Sequence, residues 1–131
     1  MNHQGDRTIN NRNRIPEAVL SRLAAIEVLQ KIESEYITID KAIERTAFFD
    51  RLSRQDKGLA NAIIYGVLRN KGILDWIISS FSSTKIEKIE PVVLDILRTG
   101  IFQMKFMDRI PASAAVNTSV ELAKVKGLKP F

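Results

Sequence analysis

The sequence predicts an all-α protein of one domain, and three observations support this class. Apolar residues recur at intervals of three and four along several stretches, which is the spacing of one helix face. No stretch alternates apolar and polar residues for long enough to indicate a strand. The chain has 131 residues, which is long enough to bury a core, and its composition is rich in aliphatic residues and poor in Gly and Pro.

The first 14 residues are predicted to be a disordered basic arm, and residues 15–131 the folded domain. The arm has almost no apolar side chains, and it carries Arg7, Arg12 and Arg14. The lone histidine, His3, also lies there, so we interpret it as inert rather than as a ligand or a catalytic base.

Two helices are predicted before residue 50. The first starts at Pro16, whose missing N–H costs nothing in a first turn, and Arg22 lies at the edge of its apolar stripe. The second covers residues 40–49, with Thr38 or Asp40 as its cap. The stripe of the first helix comprises Val19, Leu23, Ile26 and Leu29.

The stretch from residue 53 to 81 is predicted to be the central helix around which the rest packs. Ser53 followed by Asp56 resembles a capping box at its start. Gly66 is interpreted as a site of close helix packing, and Gly72 as a bend or a break into two helices. Its main apolar stripe comprises Leu59, Ile63, Val67, Leu74, Ile77 and Phe81.

Two further helices are predicted after a polar link that contains a short turn near Ile86. Pro91 starts the first of them and Pro111 the last. Gly127 is placed to end the last helix as its C′ residue. The inward-facing residues of that last helix are predicted to be Val116, Val120 and Ala123.

No catalytic or metal site is predicted. The chain has no cysteine, and it contains no phosphate-binding loop, dinucleotide-binding glycine motif or HExxH zinc motif. We interpret its carboxylates as helix caps or solvated groups: Glu27, Asp56, Asp75, Asp95 and Glu121. No apolar run is long enough to cross a membrane, and no signal-peptide pattern precedes the domain, so we expect a cytoplasmic protein.

The charge pattern suggests a polyanion partner. The net charge is +5, and residues 51–71 contain five basic side chains and one acidic side chain. A solvated basic surface without a partner is the alternative, and charge alone does not decide between them. The aromatic residues are interpreted as core or half-buried rather than as stacking platforms: Tyr65, Trp76, Phe102 and Phe106.

Several blocks of the chain match a known family in the same order. The more specific blocks are Tyr65-Gly66-Val67-Leu68-Arg69, Ile96-Leu97-Arg98-x-Gly100-Ile101-x-Gln103, Ile110-Pro111-Ala112 and Val120-Glu121-Leu122-Ala123-Lys124. With these blocks, residues 20–131 resemble the NusB-like RNA-binding domain. They are most similar to the copy at the N-terminus of bacterial 16S rRNA cytosine-C5 methyltransferases.

The resemblance implies two small helical subdomains packed across each other, and a function in RNA binding. In such a methyltransferase the domain helps to place ribosomal RNA for the catalytic domain, which uses S-adenosylmethionine. The arginine-rich start of the first helix is the usual RNA-facing element. Together with the basic residues of the 51–71 region, the predicted RNA-binding residues are Arg12, Arg14, Arg22, Arg54, Lys57, Arg69 and Lys71. Arg69 has an alternative interpretation as a structural residue that pairs with Asp75 or Asp95.

Two departures from the family pattern affect these expectations. Thr118 stands where the family commonly has an acidic residue after the asparagine. The family pattern also continues into another helix and a methyltransferase domain, so we expect these residues to be a truncated piece with no cofactor of their own. Exposed apolar surface near Val116, Val120 and Phe131 would then favour a weak homodimer.

Three functions remain open from the sequence. The first is the RNA-binding domain of an rRNA methyltransferase, with its own catalytic domain as a partner. The second is a free-standing antitermination factor of the NusB type, which binds RNA together with a ribosomal protein. The third is a helical protein-interaction module without affinity for RNA.

Overall fold

The computed structural model describes residues 15–128, which are all-helical as predicted. They form six α-helices and two short 3₁₀ turns, with no strand in this range. The helices are α1 (Glu17–Glu35), α2 (Ile39–Glu44), α3 (Arg54–Arg69), α4 (Lys71–Phe81), α5 (Pro91–Phe106) and α6 (Ala112–Val125). The 3₁₀ turns are Ala47–Arg51, before α3, and Ile86–Lys88, before α5. The predicted arm, residues 1–14, and Phe131 lie outside the described residues.

Local sequence signals set most helix ends. The hydroxyl of Thr38 accepts a hydrogen bond from the Lys41 N–H at 3.2 Å, and Ser53 caps α3 in the same way. At the end of α6, Gly127 has a φ of +71°, and its N–H donates to the carbonyl of Lys124. The next N–H, of Leu128, donates to Ala123, which completes a Schellman motif. The caps predicted at these positions are confirmed.

The predicted long helix over residues 53–81 is divided in two at Asn70. The side-chain amide of Asn70 donates to the carbonyl of Gly66 at 2.8 Å, and its backbone leaves the helical region at φ −107° and ψ 19°. The backbone N–H of Asn70 donates to the same carbonyl at 3.0 Å, so one residue caps the end of α3 with two hydrogen bonds, and α4 begins at the next residue. The break therefore falls at Asn70 rather than at Gly72.

The helix that occupies the centre of the fold is α1, and the prediction of a central helix over residues 53–81 is wrong. Helix α1 packs against α2, α3, α5 and α6. Two hydrophobic clusters meet on it, one formed with α2, α3, α4 and Phe102 of α5, and the other with α5 and α6. It serves both because it is buried almost all around in its middle turns, where small residues allow neighbouring helices to approach. The buried residues there are Ala24, Ala25, Ile26, Val28 and Leu29.

Two glycines, Gly66 on α3 and Gly100 on α5, allow neighbouring helices to pack closely against α5. A methyl group added at Gly66 would overlap the ring of Phe102, and one added at Gly100 would lie 2.7 Å from the hydroxyl of Ser119. Gly66 thus brings α3 onto α5, as predicted, and Gly100 brings α6 onto α5.

The inward face of α6 differs from the predicted one. Val116 and Val120 are half exposed, and the residues that face the core are Ala115, Thr118 and Leu122. The buried Thr118 hydroxyl donates to the carbonyls of Ala114 and Ala115, so its polar group is satisfied within the helix. Small residues on two sides of this helix made its buried face ambiguous from periodicity alone.

Trp76 is 70% exposed, so the prediction that it is a core or half-buried residue is wrong. Helix α4 buries Leu74 and Ile78, and Trp76 lies on another side of the same helix. Phe102 is buried as predicted. Tyr65 and Phe106 are partly exposed, at 46% and 42%.

We predict that Gly66→Ala destabilises the domain by about 1–3 kcal/mol, because the new methyl group would overlap the buried Phe102 ring. Gly58→Ala is the matched control on the same helix, since open space surrounds that site. It should stabilise the domain by up to about 1 kcal/mol through helix propensity. Urea unfolding of the two variants measures both effects, and equal stabilities would contradict the packing role of Gly66.

Candidate nucleic-acid interface

A buried ionic cluster centred on Arg98 joins three helices. The guanidinium of Arg98 in α5 donates two hydrogen bonds to the carboxylate of Asp75 in α4, at 2.7 and 3.0 Å. It also donates to Asp95 at 3.1 Å and to Glu33 of α1 at 3.3 Å. Arg98 is 4% exposed, so its charge holds the fold together and is not available to a partner at the surface.

Asp95 is fully buried beside this arginine, and its predicted role as a cap or a solvated group is wrong. Its carboxylate accepts hydrogen bonds from Arg98 and from the side-chain amide of Gln30. Burial and the nearby charge of Glu33 raise the pKa of Asp95 to about 6, although Gln30 and Arg98 oppose the rise. Burial alone would lower the pKa of Arg98, but Asp75 and Asp95 raise it.

Arg22 is also buried, and its side chain makes structural contacts. Its Nε donates to the side-chain oxygen of Gln103 at 3.0 Å, and its Nη1 donates to the carbonyl of Ala18 at 2.8 Å. Burial lowers the pKa of Arg22, in spite of the carboxylate of Asp56. An RNA contact by Arg22 stays a prediction, and these contacts disfavour it in this conformation.

The outer side of α3 carries the remaining predicted RNA-binding residues of this helix. The residues on this side of α3 recur at helical spacing. We call them together the α3 basic face: Arg54, Lys57, Gly58, Ala62, Tyr65 and Arg69. Arg54 and Arg69 are exposed, and neither forms an ion pair with another described residue. Lys57 is partly buried, and it also forms no ion pair with another described residue. Arg51, on the preceding 3₁₀ turn, is exposed in the same way. The structure thus brings Arg54, Lys57 and Arg69 together on one helix.

Lys71 and Arg69 differ in their surroundings although they are close in sequence. Lys71 lies 3.6 Å from Glu33, at the exposed edge of the Arg98 cluster. The alternative interpretation of Arg69 as the partner of Asp75 or Asp95 is wrong, because Arg98 holds both carboxylates. Arg98 was not recognised from the sequence as the structural arginine. Its spacing of three residues from Asp95 was the available signal.

The other predicted interface residues, Arg12 and Arg14, lie outside the described residues. Within residues 15–128, no group of three or more His, Asp or Glu side chains is arranged to hold a metal ion. No helix in that range is long and apolar enough to cross a bilayer.

The fold and this surface define a class: a small helical domain built around α1, with a basic side on α3. Comparison with known proteins then identifies the family. The model of the NusB family matches residues 19–130, and this chain belongs to the NusB family.

The relatives include both rRNA methyltransferases and antitermination proteins. The chain is 34% identical over 105 residues to the probable ribosomal RNA small subunit methyltransferase B of Bacillus subtilis, and 36% identical over 111 residues to that of Synechocystis. These matches cover 80% and 85% of this chain, but only 23% and 25% of the relatives, in their N-terminal part. A match to the transcription antitermination protein NusB of Ruminiclostridium cellulolyticum is 32% identical, over 79% of this chain and 72% of that protein. The chain thus spans about a quarter of the length of its methyltransferase relatives.

We predict that Arg98→Met lowers the free energy of unfolding by about 3–5 kcal/mol, because it leaves the buried Asp95 and its neighbours without a counter-charge. Arg69→Met is the matched control and should change stability by less than about 0.5 kcal/mol, since Arg69 is exposed. Denaturant unfolding measured by circular dichroism compares the two variants. A larger loss of stability in Arg69→Met than in Arg98→Met would instead show that Arg69 is the structural arginine.

The raised pKa of Asp95 predicts a pH dependence of stability. A carboxyl group that is harder to ionise in the folded state destabilises the fold as pH rises from about 4 through 6. Between pH 4 and pH 7, the free energy of unfolding of the wild-type protein should therefore fall by on the order of 2–3 kcal/mol relative to that of Asp95→Asn. Glu33, Asp75 and Arg98 are the charged residues around Asp95. Asp108→Asn, on an exposed turn, is the control and should follow the pH dependence of the wild type. Unfolding curves for wild type and Asp95→Asn that shift in parallel over this range would contradict the prediction.

Proposed function

We propose that this chain is an RNA-binding domain that helps to position 16S ribosomal RNA for a cytosine-C5 methyltransferase. The observation that carries the proposal is the α3 basic face, whose cations have no partner among the described residues. Membership of the NusB family and the match to the N-terminal quarter of rRNA methyltransferases support the choice of RNA as the polyanion.

The electrostatics of the domain separate structural from surface arginines. Arg22 and Arg98 are buried, and side-chain or backbone oxygens satisfy their guanidinium groups. Arg54 and Arg69 serve no such purpose in the fold, so phosphate groups are free to bind them. The single acidic residue among positions 51–71, Asp56, is partly buried and interacts with the positive charge of Arg22, which partly offsets its own charge. A phosphate chain that follows α3 therefore meets little repulsion.

The position of this face also supports a role for the N-terminal arm. The charge interaction between Asp56 and Arg22 places the first turn of α3 beside the second turn of α1. The arm joins α1 at that end of the domain. We propose that Arg12 and Arg14 extend the same phosphate-binding surface, and that Lys71 contributes at its other end.

The methyltransferase reaction itself is a proposal for the longer protein that the relatives suggest. S-adenosylmethionine is the methyl donor that we expect there, and we assign no residue of this chain to it. The partner for this domain would be its own catalytic domain in a cytoplasmic rRNA-modifying enzyme. A weak homodimer, through the half-exposed Val116 and Val120 of α6, is a further proposed association.

A second candidate function is a free-standing antitermination factor that binds RNA together with a ribosomal protein. The observation that favours it is the coverage of the match, since the aligned residues span 72% of the antitermination protein of Ruminiclostridium cellulolyticum. Sequencing the reading frame downstream of Phe131 discriminates the two functions. Several hundred further residues support the methyltransferase, and a stop codon shortly after Phe131 supports the antitermination factor.

We predict that RNA binding weakens with salt, because each phosphate contact releases counterions. On single strands the slope of log affinity against log salt is about −0.7 per contact, so three or four contacts give roughly −2 to −3. The variant Arg54→Ala/Lys57→Ala/Arg69→Ala should bind ribosomal RNA fragments more weakly and with a flatter slope. The variant Arg12→Ala/Arg14→Ala should show a smaller change in the same direction. Fluorescence anisotropy with labelled RNA at several salt concentrations measures both quantities.

The matched control is Lys85→Ala/Lys88→Ala, which removes two exposed lysines near the second 3₁₀ turn and should leave the slope unchanged. Arg22→Ala should mainly lower stability, because it breaks buried hydrogen bonds. If the triple variant binds RNA as tightly as the wild type, the RNA-binding site does not lie on α3. Wild-type protein that binds no RNA at low salt supports the third function, a protein-interaction module.

A further inference from the structure

A groove lies between the end of α1, the second 3₁₀ turn and the start of α5, and its volume is about 420 Å³. This volume falls in the range of about 300–1,000 Å³ that is usual for ligand sites. Its two charged lining residues are both acidic, Glu33 of α1 and Glu87 of the 3₁₀ turn. We call this site the α1–α5 groove. The apolar side chains that line it are Ile86, Ile89, Pro91 and Leu94.

The two carboxylates of the groove differ in their surroundings. Glu87 is exposed, and it forms no ion pair with another described residue. Glu33 is partly exposed, and its Oε2 lies 3.3 Å from Arg98 and 3.6 Å from Lys71. Both cations contact Glu33 from outside the groove, since neither of them lines it. The groove therefore presents an apolar wall and negative charge to solvent.

The ionic cluster behind Glu33 lacks one positive charge. When all its members are ionised, three carboxylates face two cations: Glu33, Asp75 and Asp95 against Arg98 and Lys71. Burial and the charge of Glu33 raise the pKa of Asp95 to about 6, and the protonated carboxyl group of Asp95 hydrogen-bonds to Glu33. A proton thus supplies the missing charge at low pH. A cation that enters the groove beside Glu33 would supply it instead.

The walls of the groove indicate which kind of cation fits. Magnesium prefers oxygen ligands on all sides, which an apolar wall does not offer, and residues 15–128 contain no group of three or more acidic or His side chains arranged for a metal ion. An ammonium group on an alkyl chain fits better, because its methylene groups can pack on Ile86 and Ile89 while its charge lies at a carboxylate. Lys85 and Lys88 are exposed in the same segment, but they do not line the groove.

We propose that the α1–α5 groove binds a linear diamine or polyamine, with one ammonium group at Glu33, the alkyl chain on the apolar wall and a second ammonium group at Glu87. Charge complementarity carries this assignment. A single carboxylate would suit any amine, whereas two carboxylates on different elements, with an apolar wall in the same groove, select a ligand with two cationic ends. The groove does not include the α3 basic face, so this inference does not depend on RNA binding.

Binding in this groove is coupled to the proton of Asp95. When the first ammonium group lies beside Glu33, Asp95 ionises and its proton passes to the solvent. The affinity for the diamine therefore rises as Asp95 loses its proton, by about tenfold from pH 5 to pH 7. The charged groups that face Asp95 are Glu33 from α1, Asp75 from α4 and Arg98 from its own helix, α5.

Isothermal titration calorimetry of residues 1–131 with 1,4-diaminobutane and with spermidine tests the proposal at low salt. We expect saturable binding to one site, with proton release near pH 6 that makes the measured heat depend on the ionisation enthalpy of the buffer. The monoamine n-butylamine should bind more weakly, since it reaches only one carboxylate. In Asp95→Asn, the diamine should still bind, but without the pH dependence and without proton release.

Glu87→Gln tests the second carboxylate without disturbing the fold, because Glu87 is exposed and forms no ion pair with another described residue. It should weaken diamine binding roughly twofold to fivefold and leave the binding of n-butylamine unchanged. Glu90→Gln is the matched control. It removes the same charge from an exposed residue that does not line the groove, and it should bind the diamine like the wild type. Circular dichroism checks that each variant keeps its helicity.

Three outcomes would overturn the proposal. If Glu90→Gln loses as much affinity as Glu87→Gln, or if magnesium chloride displaces the diamine at equal concentration, the amines act only as diffuse counterions. If the diamine binds no more tightly than n-butylamine, the groove does not select a ligand with two cationic ends. If a Lys-Ala-Lys peptide with blocked ends binds more tightly than either amine and depends on Glu87, the groove belongs to a lysine-bearing protein partner instead. None of these measurements contains RNA, so the proposed function is tested separately.

Discussion

The interaction between Arg98 and the carboxylates of Asp75, Asp95 and Glu33 constrains the arrangement of α1, α4 and α5. Each ion loses hydration when these helices pack, and only well-placed hydrogen bonds offset that cost. Arg98 meets this requirement with a two-bond contact to Asp75, and Gln30 satisfies the second oxygen of Asp95. A shift of any one helix would leave a buried charge without a partner, so the cluster fixes how the helices on one side of α1 are placed.

This placement determines which sides of α3 and α4 meet water. Gly66 brings α3 against Phe102, and Asp75 holds α4 against Arg98. The opposite side of the two helices is then left with arginines and aromatic residues that have no function in the core. Because the structural arginines are satisfied inside, the basic charge on the surface of α3 is not needed by the fold.

Much of the fold could be predicted from local patterns. Helical periodicity, the caps at Thr38 and Ser53, and Gly127 at the end of α6 depend on residues within a few positions of one another, so the sequence contains the necessary information. The family blocks likewise led to the NusB family. The candidate site was predicted only in part. The basic residues of α3 were recognised by their charge, while the burial of Arg22 depends on Gln103, which is 81 residues away.

The sequence by itself determined that the chain is helical, where most helices begin and end, and that basic charge is concentrated around α3. Only the tertiary structure decided that α1 is the central helix, that Arg98 rather than Arg69 is the structural arginine, and that Trp76 faces water. The physical reason is that α4 has apolar residues on several sides, with Ile73, Leu74, Trp76, Ile77 and Ile78 within six positions. Periodicity cannot choose among such faces. The choice is made by the neighbouring helices, which offer a counter-charge to Asp75 and a hydrophobic cluster to Leu74, and leave Trp76 in solvent.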